Sequence, residues 1–189
     1  EKNNRYSFIL EPVEEWKNKY KNNKGKNILD LFYNNMSRWC YTFQMTAWMT
    51  RIKNIEEEIK KKPDNLFFIE RSIYTDKNCF AELCYQNKLM EKIEWELYND
   101  WFSWLENIFN VKPDIYVYLF LDPEKCLERI KKRSRKEEAN ITLEYLRQLH
   151  EKHEKWMAEN ERKGIKVIKI NVEENFKDNE LIFLKHCDT

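Results

Sequence analysis

"NLFFIERS", residues 65–72, runs from a short apolar segment directly into a glutamate and an arginine. The segment 65–70 predicts a β-strand covered on both faces, and the similarly apolar run 115–121 predicts another. Two further runs favour strands, "YSFIL" (6–10) and "KVIKINV" (166–172). Helical patterns cover four segments between and around them: 27–61, 91–109, 124–136 and 142–160. Strands that alternate with helical crossovers predict an α/β fold with a mostly parallel sheet flanked by helices.

Polar residues follow three of the predicted strands at the point where each strand ends. They are Glu11-Pro12, Glu70-Arg71-Ser72 and Asp122-Pro123. Ligands of parallel sheets bind outside the carboxyl ends of the strands. Glu11 and Glu70 with Arg71 therefore predict a site where a general base and a metal or phosphate group could be held. A helix-capping acid and a structural Glu70–Arg71 ion pair are the alternatives.

Composition narrows the range of functions. The 189 residues suit one domain, and 34 basic residues nearly balance 33 acidic ones, which argues against a bulk nucleic-acid binder. No apolar run approaches the roughly 20 residues needed to span a bilayer, so no membrane partner is expected. The five cysteines include no C-x-x-C pair and leave one unpaired, which favours a reducing intracellular setting over a secreted one. The cytoplasm is the expected compartment, with the mitochondrion and the nucleus as the alternatives.

The run "RIKKRSRK" (129–136) contains six basic residues. Such runs are most often solvated helix surfaces. Here Arg129 and Arg133 lie four residues apart on one predicted helix face, with Arg135 close by. The planar guanidinium group suits phosphate oxygens better than a lysine ammonium does. A solvated surface and a phosphate clamp both remain open from these residues alone.

The tryptophan-rich segment 91–109 has an apolar stripe too broad for one core-facing side of a helix. The stripe consists of Ile93, Trp95, Leu97, Trp101, Trp104, Leu105 and Phe109. Its excess width could form a dimer surface, and we expect a homodimer.

Five blocks of the sequence, in order, resemble the cellular and viral deoxynucleoside kinases, in particular their deoxycytidine and deoxyguanosine kinase branch. The blocks are "EPVEEW" (11–16), "WCYTFQMTAWMTRI" (39–52), "FFIERSIYTDKNCF" (67–80), "RIKKRSRKEEANITLEYLRQLHEKHEKW" (129–156) and "NVEENFKD" (171–178). The resemblance spans nearly the whole chain. It implies a P-loop kinase-like α/β fold with an arginine-bearing lid at about 129–141, and ATP-dependent phosphorylation of the deoxynucleoside 5′-hydroxyl in nucleotide salvage.

The resemblance also implies roles for single residues. Glu11 would accept the proton of the 5′-hydroxyl, Arg71 would hold that hydroxyl and the transferring phosphoryl group, and Glu70 would help to hold Mg²⁺. The lid arginines Arg129, Arg133 and Arg135 would close over the phosphates. Asn175 and Phe176 would contact the adenine of the donor, ATP or another nucleoside triphosphate.

The nucleoside pocket follows from the same resemblance. Tyr33 and Glu138 would recognise the sugar 3′-hydroxyl. Phe43 and Phe80 would sandwich the base, and Gln44 would read its edge through two hydrogen bonds. Other residues would complete the pocket wall: Val13, Trp16 and Leu29.

Three further positions concern substrate choice. Ala47, Arg51 and Asp76 would line the far end of the base pocket. In thymidine-accepting relatives smaller or apolar residues typically replace the Arg–Asp pair and leave room for a 5-methyl group. The presence of both residues here predicts a preference for deoxycytidine or deoxypurines over thymidine.

One family feature is absent from the sequence. These kinases begin with a central strand and a phosphate loop, G-x-x-x-x-G-K-[ST], whereas this chain has two glycines, Gly25 and Gly164, in other contexts. We expect residues 1–189 to be one N-terminally incomplete kinase domain, inactive if they were the entire protein. The alternative is a degenerate homologue, a non-catalytic nucleoside binder or partner subunit.

Overall fold

The computed structural model describes residues 5–109 and 111–173. The chain divides after Lys112 into two compact units. Within the described ranges, no helix combines the length and apolar character that crossing a membrane requires.

In the first unit, strand β1 (Tyr6–Ile9) pairs in parallel with β2 (Leu66–Ile69). Both strands end next to the polar residues that the sequence places after them. The helices of this unit are α1 (Val13–Asn18), α2 (Ile28–Asn34), α3 (Met36–Lys61), α4 (Ile73–Thr75), α5 (Glu82–Gln86) and α6 (Lys92–Ile108). The predicted α/β class and parallel pairing are confirmed.

The helical pattern over 27–61 forms two helices rather than one. Asn27 caps α2 by accepting a hydrogen bond from the Asp30 N–H at 2.8 Å. Asn35 ends α2 and caps α3, where its side chain accepts from the Arg38 N–H at 3.2 Å. Asparagine competes for backbone hydrogen bonds and favours caps, so an asparagine inside an apolar pattern divides the helix.

A continuous helical segment follows β2 and contains a turn of unusual geometry. Ser72 begins it with a capping box, since its side chain accepts from the Thr75 N–H. Between α4 and α5 the segment Asp76–Ala81 is a π-helix. Such turns are rare and frequently occur at functional sites. This one contains Asp76 and Phe80, two of the predicted pocket residues.

The core of the first unit lies between α3, the π-helix region and α6. Trp48 is fully buried and packs edge-on against Tyr98 and Phe102. Phe67 and Ile69 of β2 pack against this core, whereas Leu66 and Phe68 on the opposite face are exposed.

In the second unit, β3 (Ile115–Phe120) pairs in parallel with β4 (Lys166–Asn171). Its helices are α7 (Pro123–Arg133), a 3₁₀ turn (Lys136–Glu138) and α8 (Leu143–Arg162). Helix α7 ends earlier than the pattern predicts, at Ser134, whose backbone is left-handed with φ 54°. Thr142 caps the N-terminus of α8, because its hydroxyl accepts from the Tyr145 N–H at 3.2 Å.

The prediction that two strands are covered on both faces is wrong for the described residues. Burial alternates along β2 and along β3. On β3, Tyr116 packs against Trp156 and Tyr118 against His153 of α8. The side chains that alternate with them are exposed: Ile115, Val117 and Leu119. Successive side chains of a strand point to opposite faces, and within each unit packing reaches only one of them.

Candidate functional site

Two carboxylates meet at the carboxyl ends of β1 and β2. The backbone N–H of Glu11 donates to Glu70 Oε2 at 3.1 Å. The Glu11 side chain is 13% exposed, whereas Glu70 is an exposed residue. This places a mostly buried and an accessible carboxylate side by side where a parallel sheet binds its ligands.

Arg51 of α3 connects this edge to the π-helix. Its guanidinium donates to Asp76 Oδ2 at 2.8 Å, to Glu11 Oε1 at 3.0 Å and to the Glu70 carbonyl oxygen at 2.6 Å. The side chain is 2% exposed and that of Asp76 is 4% exposed. Burial alone would lower the pKa of Arg51, but the carboxylates of Asp76 and Glu11 raise it. The predicted Arg51–Asp76 ion pair is present, and Arg51 also fixes Glu11.

Arg71 donates to the same carboxylate oxygen of Glu11. Its Nη1 donates to Glu11 Oε1 at 2.9 Å, and its guanidinium lies over the Phe80 ring at 4.4 Å. The ion pair therefore joins Arg71 to Glu11 and not to Glu70. Arg71 has φ 60°, a left-handed conformation that costs a non-glycine residue of the order of 1–3 kcal/mol. Strain at this point is typical of a functional site, and the side chain stays accessible.

An aromatic cluster forms one wall next to these charges. The buried side chains of Trp16, Leu29 and Ala47 belong to it, with Val13, Tyr33 and Phe43 packed against them. Trp16 meets Phe43 edge-on, with ring centroids 5.4 Å apart. Seven of the predicted pocket residues are thus assembled from α1, α2 and α3 in this cluster and its neighbour Gln44.

Gln44 is a buried amide that directly follows Phe43 in α3. Among the described residues it makes a single long hydrogen bond, from Nε2 to Cys84 Sγ at 4.0 Å. A ligand with a better acceptor could replace so weak a contact. A hydrogen bond to Cys84, together with burial, raises the pKa of the nearby Cys40 thiol. That thiol therefore stays protonated and is not a nucleophile.

Sequence reasoning missed two features of this wall. Phe32 is 2% exposed and stacks on Phe43, with ring centroids 4.6 Å apart. Its position one residue before Tyr33 was the available signal. Thr50, buried next to Arg51 in the chain, accepts a hydrogen bond from Trp16 Nε1 at 2.9 Å. A threonine inside a helical pattern gave no signal of its own.

The predicted lid residues lie in the second unit. Arg129 donates to the Val172 carbonyl oxygen at 2.6 Å, and also to the Glu173 carbonyl oxygen. Arg133 and Arg135 both donate to Glu138, at 2.6 Å and 3.3 Å. The structure therefore brings Glu138 together with two of the three arginines. Asn175 and Phe176 lie outside the described residues.

The carboxylates of Glu11 and Glu70 fit the small number of protein ligands with which a magnesium ion is usually bound. Mg²⁺ usually takes one or two protein carboxylates and completes its shell with water and substrate phosphates. No cluster of three or more potential protein ligands occurs in the two described ranges. The accessible carboxylate of Glu70, next to Glu11, matches this sparse coordination.

Comparisons with known proteins agree with this site. A sequence model of the family described as deoxynucleoside kinase matches residues 1–185. The probable deoxycytidine kinase of fowlpox virus is 36% identical over 177 residues, covering 93% of this chain and 72% of the relative. The mitochondrial deoxyguanosine kinase of Xenopus laevis is 35% identical, covering 92% and 74%. Human deoxycytidine kinase is 34% identical, covering 92% and 76%.

Proposed function

Because this chain belongs to the deoxynucleoside kinase family of transferases, we propose that it transfers a phosphoryl group from ATP to the 5′-hydroxyl of a deoxynucleoside. The observation that supports this best is the cluster of Glu11, Arg51 and Arg71 beside an aromatic wall. A carboxylate held by two arginines, together with an apolar aromatic surface, suits activation of a sugar hydroxyl. The reaction would serve nucleotide salvage.

Glu11 is the proposed general base. Both arginines donate to Oε1. Among the described residues no hydrogen bond is made to Oε2, which can therefore accept the proton of the 5′-hydroxyl. Phosphoryl transfer needs little covalent chemistry from the protein, and it depends mainly on alignment and charge stabilisation. Arg71, fixed by Glu11 and Phe80, would hold the hydroxyl and the transferring group.

The remaining charges concern the donor. Glu70 would hold Mg²⁺, which when bound neutralises charge on the donor phosphates. Arg129, Arg133 and Arg135 would bind those phosphates, and the segment 129–141 would act as a lid that excludes water. Glu138 would contact the sugar 3′-hydroxyl together with Tyr33. Asn175 and Phe176 are proposed to contact the donor base.

The base pocket is proposed to use five residues. Phe43 and Phe80 would enclose the base, and Gln44 would hydrogen bond to its edge. The far end would be closed by Arg51 and Asp76, which form a buried ion pair. A 5-methyl group would have to approach a buried charged pair there, which is unfavourable.

We therefore expect kcat/KM to be higher for deoxycytidine or for a deoxypurine nucleoside than for thymidine. The measurement is a panel of the four deoxynucleosides with ATP and Mg²⁺ and the full-length protein. Deoxyuridine is the matched control, because it differs from thymidine only by the 5-methyl group. If that methyl group is what is rejected, deoxyuridine should react better than thymidine. Thymidine as the best substrate would overturn the proposed preference.

A second copy of the chain is the proposed partner. Helix α6 exposes five large apolar side chains at intervals of three or four residues: Ile93, Leu97, Trp101, Trp104 and Ile108. These positions lie on one side of the helix, next to the side that Tyr98, Phe102 and Leu105 bury in the core. An exposed stripe of this kind usually marks an interaction surface, and two such stripes can pack against each other in a symmetric dimer.

We expect Trp101→Glu combined with Trp104→Glu to convert a dimer into a monomer, measured by sedimentation velocity. The control is Ser103→Glu, which adds a charge at an exposed position on the side of α6 away from both core and stripe. Wild-type protein that sediments as a monomer would contradict the proposal. So would a dimer that survives both tryptophan substitutions.

A further inference from the structure

Two consecutive residues of α3 hold the two ends of the segment that begins at Glu11. Arg51 donates to Glu11 at 3.0 Å, and Thr50 accepts from Trp16 Nε1 at 2.9 Å. Glu11 lies just before α1 and Trp16 lies within it; α1 has six residues, and no side chain caps its N-terminus. So short a helix has little stability of its own and depends on tertiary contacts for its position.

The Thr50 hydroxyl is well suited to hold the Trp16 indole in place, because it both donates and accepts a hydrogen bond. It lies within hydrogen-bond distance of the Thr46 carbonyl oxygen, at 2.7 Å, and of the Ala47 carbonyl oxygen, at 3.0 Å. Donation to one of these leaves a lone pair directed at the Trp16 indole. Trp16 is 3% exposed and Thr50 4% exposed. Water therefore cannot readily reach the indole N–H, and loss of its acceptor would leave a buried donor unpaired.

We propose that Thr50 is a positioning residue for the nucleoside site, acting through Trp16. By fixing the indole it sets the orientation of Trp16 against Phe43, where the ring planes meet at 80°. It thereby shapes the wall against which the base of the nucleoside packs. This inference rests on the proposed function and extends it to a residue that makes no contact with the reacting groups.

The test compares Thr50→Val with Thr50→Ser in the full-length protein. Valine keeps the shape of threonine and removes the acceptor, whereas serine keeps the hydroxyl. We expect Thr50→Val to raise the KM for deoxycytidine roughly tenfold, with kcat and the KM for ATP within about twofold of wild type, because a buried N–H is left unpaired. Thr50→Ser should restore the wild-type KM. A role in stability alone would not separate the two KM values in this way.

Thr46→Val is the matched control. Thr46 lies one turn earlier on α3, and its hydroxyl donates to the Thr42 carbonyl oxygen at 2.7 Å in the same geometry. The substitution removes a similar helix contact without touching Trp16, so the KM for deoxycytidine should not change. Trp16→Phe removes the same hydrogen bond from the other side. Thr50→Val added to Trp16→Phe should cause no further rise.

Calorimetric titration with deoxycytidine alone separates this inference from the proposed function. If the wild type binds deoxycytidine without transferring phosphate, the proposed activity fails while the dissociation constants still test Thr50. Equal affinity in wild type and Thr50→Val would overturn the inference. So would an equal loss in Thr50→Val and Thr50→Ser, or additive losses in the double variant. If deoxycytidine does not bind, the same titrations are made with the deoxypurine nucleosides, and a wild type that binds none of the four deoxynucleosides overturns both proposals.

Discussion

Glu11→Gln is expected to lower kcat by about 10²- to 10⁴-fold, the usual contribution of a positioned general base, while deoxycytidine still binds with an affinity close to that of wild type. Glutamine keeps an oxygen that Arg51 and Arg71 can contact, so the local geometry should survive. What it removes is the proton acceptor. The measurements are single-turnover transfer rates and the calorimetric dissociation constant for deoxycytidine.

Glu14→Gln provides the control for Glu11→Gln. Glu14 is an exposed glutamate three residues further along the same segment, and its carboxylate accepts from the Asn18 side chain. Its loss should leave the transfer rate unchanged. An unchanged rate in Glu11→Gln would assign Glu11 a structural role instead. Equal losses of rate and of deoxycytidine affinity would likewise count against a base.

The largest effect on stability is expected at the buried pair of Arg51 and Asp76. Arg51→Met leaves the Asp76 carboxylate buried without its ion-pair partner, which typically costs 3–5 kcal/mol. Asp76→Ala should cost less, because Arg51 keeps Glu11 and the Glu70 carbonyl oxygen. The double variant removes both charges and should be more stable than Arg51→Met alone. It should also accept thymidine better, since bulk and charge leave the far end of the pocket together.

Denaturant midpoints and the ratio of kcat/KM for thymidine to that for deoxycytidine measure these effects. Lys53→Met is the control on the same helix, because it breaks an exposed contact between Lys53 and Glu57 at 3.8 Å. Its midpoint should match that of wild type. A double variant less stable than Arg51→Met would contradict the buried-charge explanation. An unchanged substrate ratio would contradict the assignment of the pair to substrate choice.

Local sequence patterns were sufficient for the strands and for the position of the charged edge. The apolar runs located all four strands to within one residue at each end. The polar residues after β1 and β2 do lie together, as their positions at strand ends predict. The spacing of apolar residues and the position of polar residues at strand ends are local properties. A single sequence is therefore enough to identify them.

The ion pairs within the site could not be predicted from local sequence patterns. Arg51 contacts Glu11, 40 residues away, and Arg71 contacts it across 60 residues. Such contacts depend on how α3 crosses the strand ends, which no local pattern specifies. The π-helix at Asp76–Ala81 is equally hidden, because its residues would also suit an ordinary α-helix. Glu138 pairs with Arg133 across the left-handed residue Ser134, whose conformation the sequence does not specify.

The most direct test of the central claim is the fate of the γ-phosphoryl group. Full-length protein is incubated with γ-labelled ATP, Mg²⁺ and deoxycytidine, and the labelled product is identified by chromatography against authentic 5′- and 3′-monophosphates. The proposed reaction predicts deoxycytidine 5′-monophosphate, formed by wild type at a rate at least about 10²-fold above that of Glu11→Gln. Label on the 3′-oxygen, or no transfer to any of the four deoxynucleosides, would contradict it.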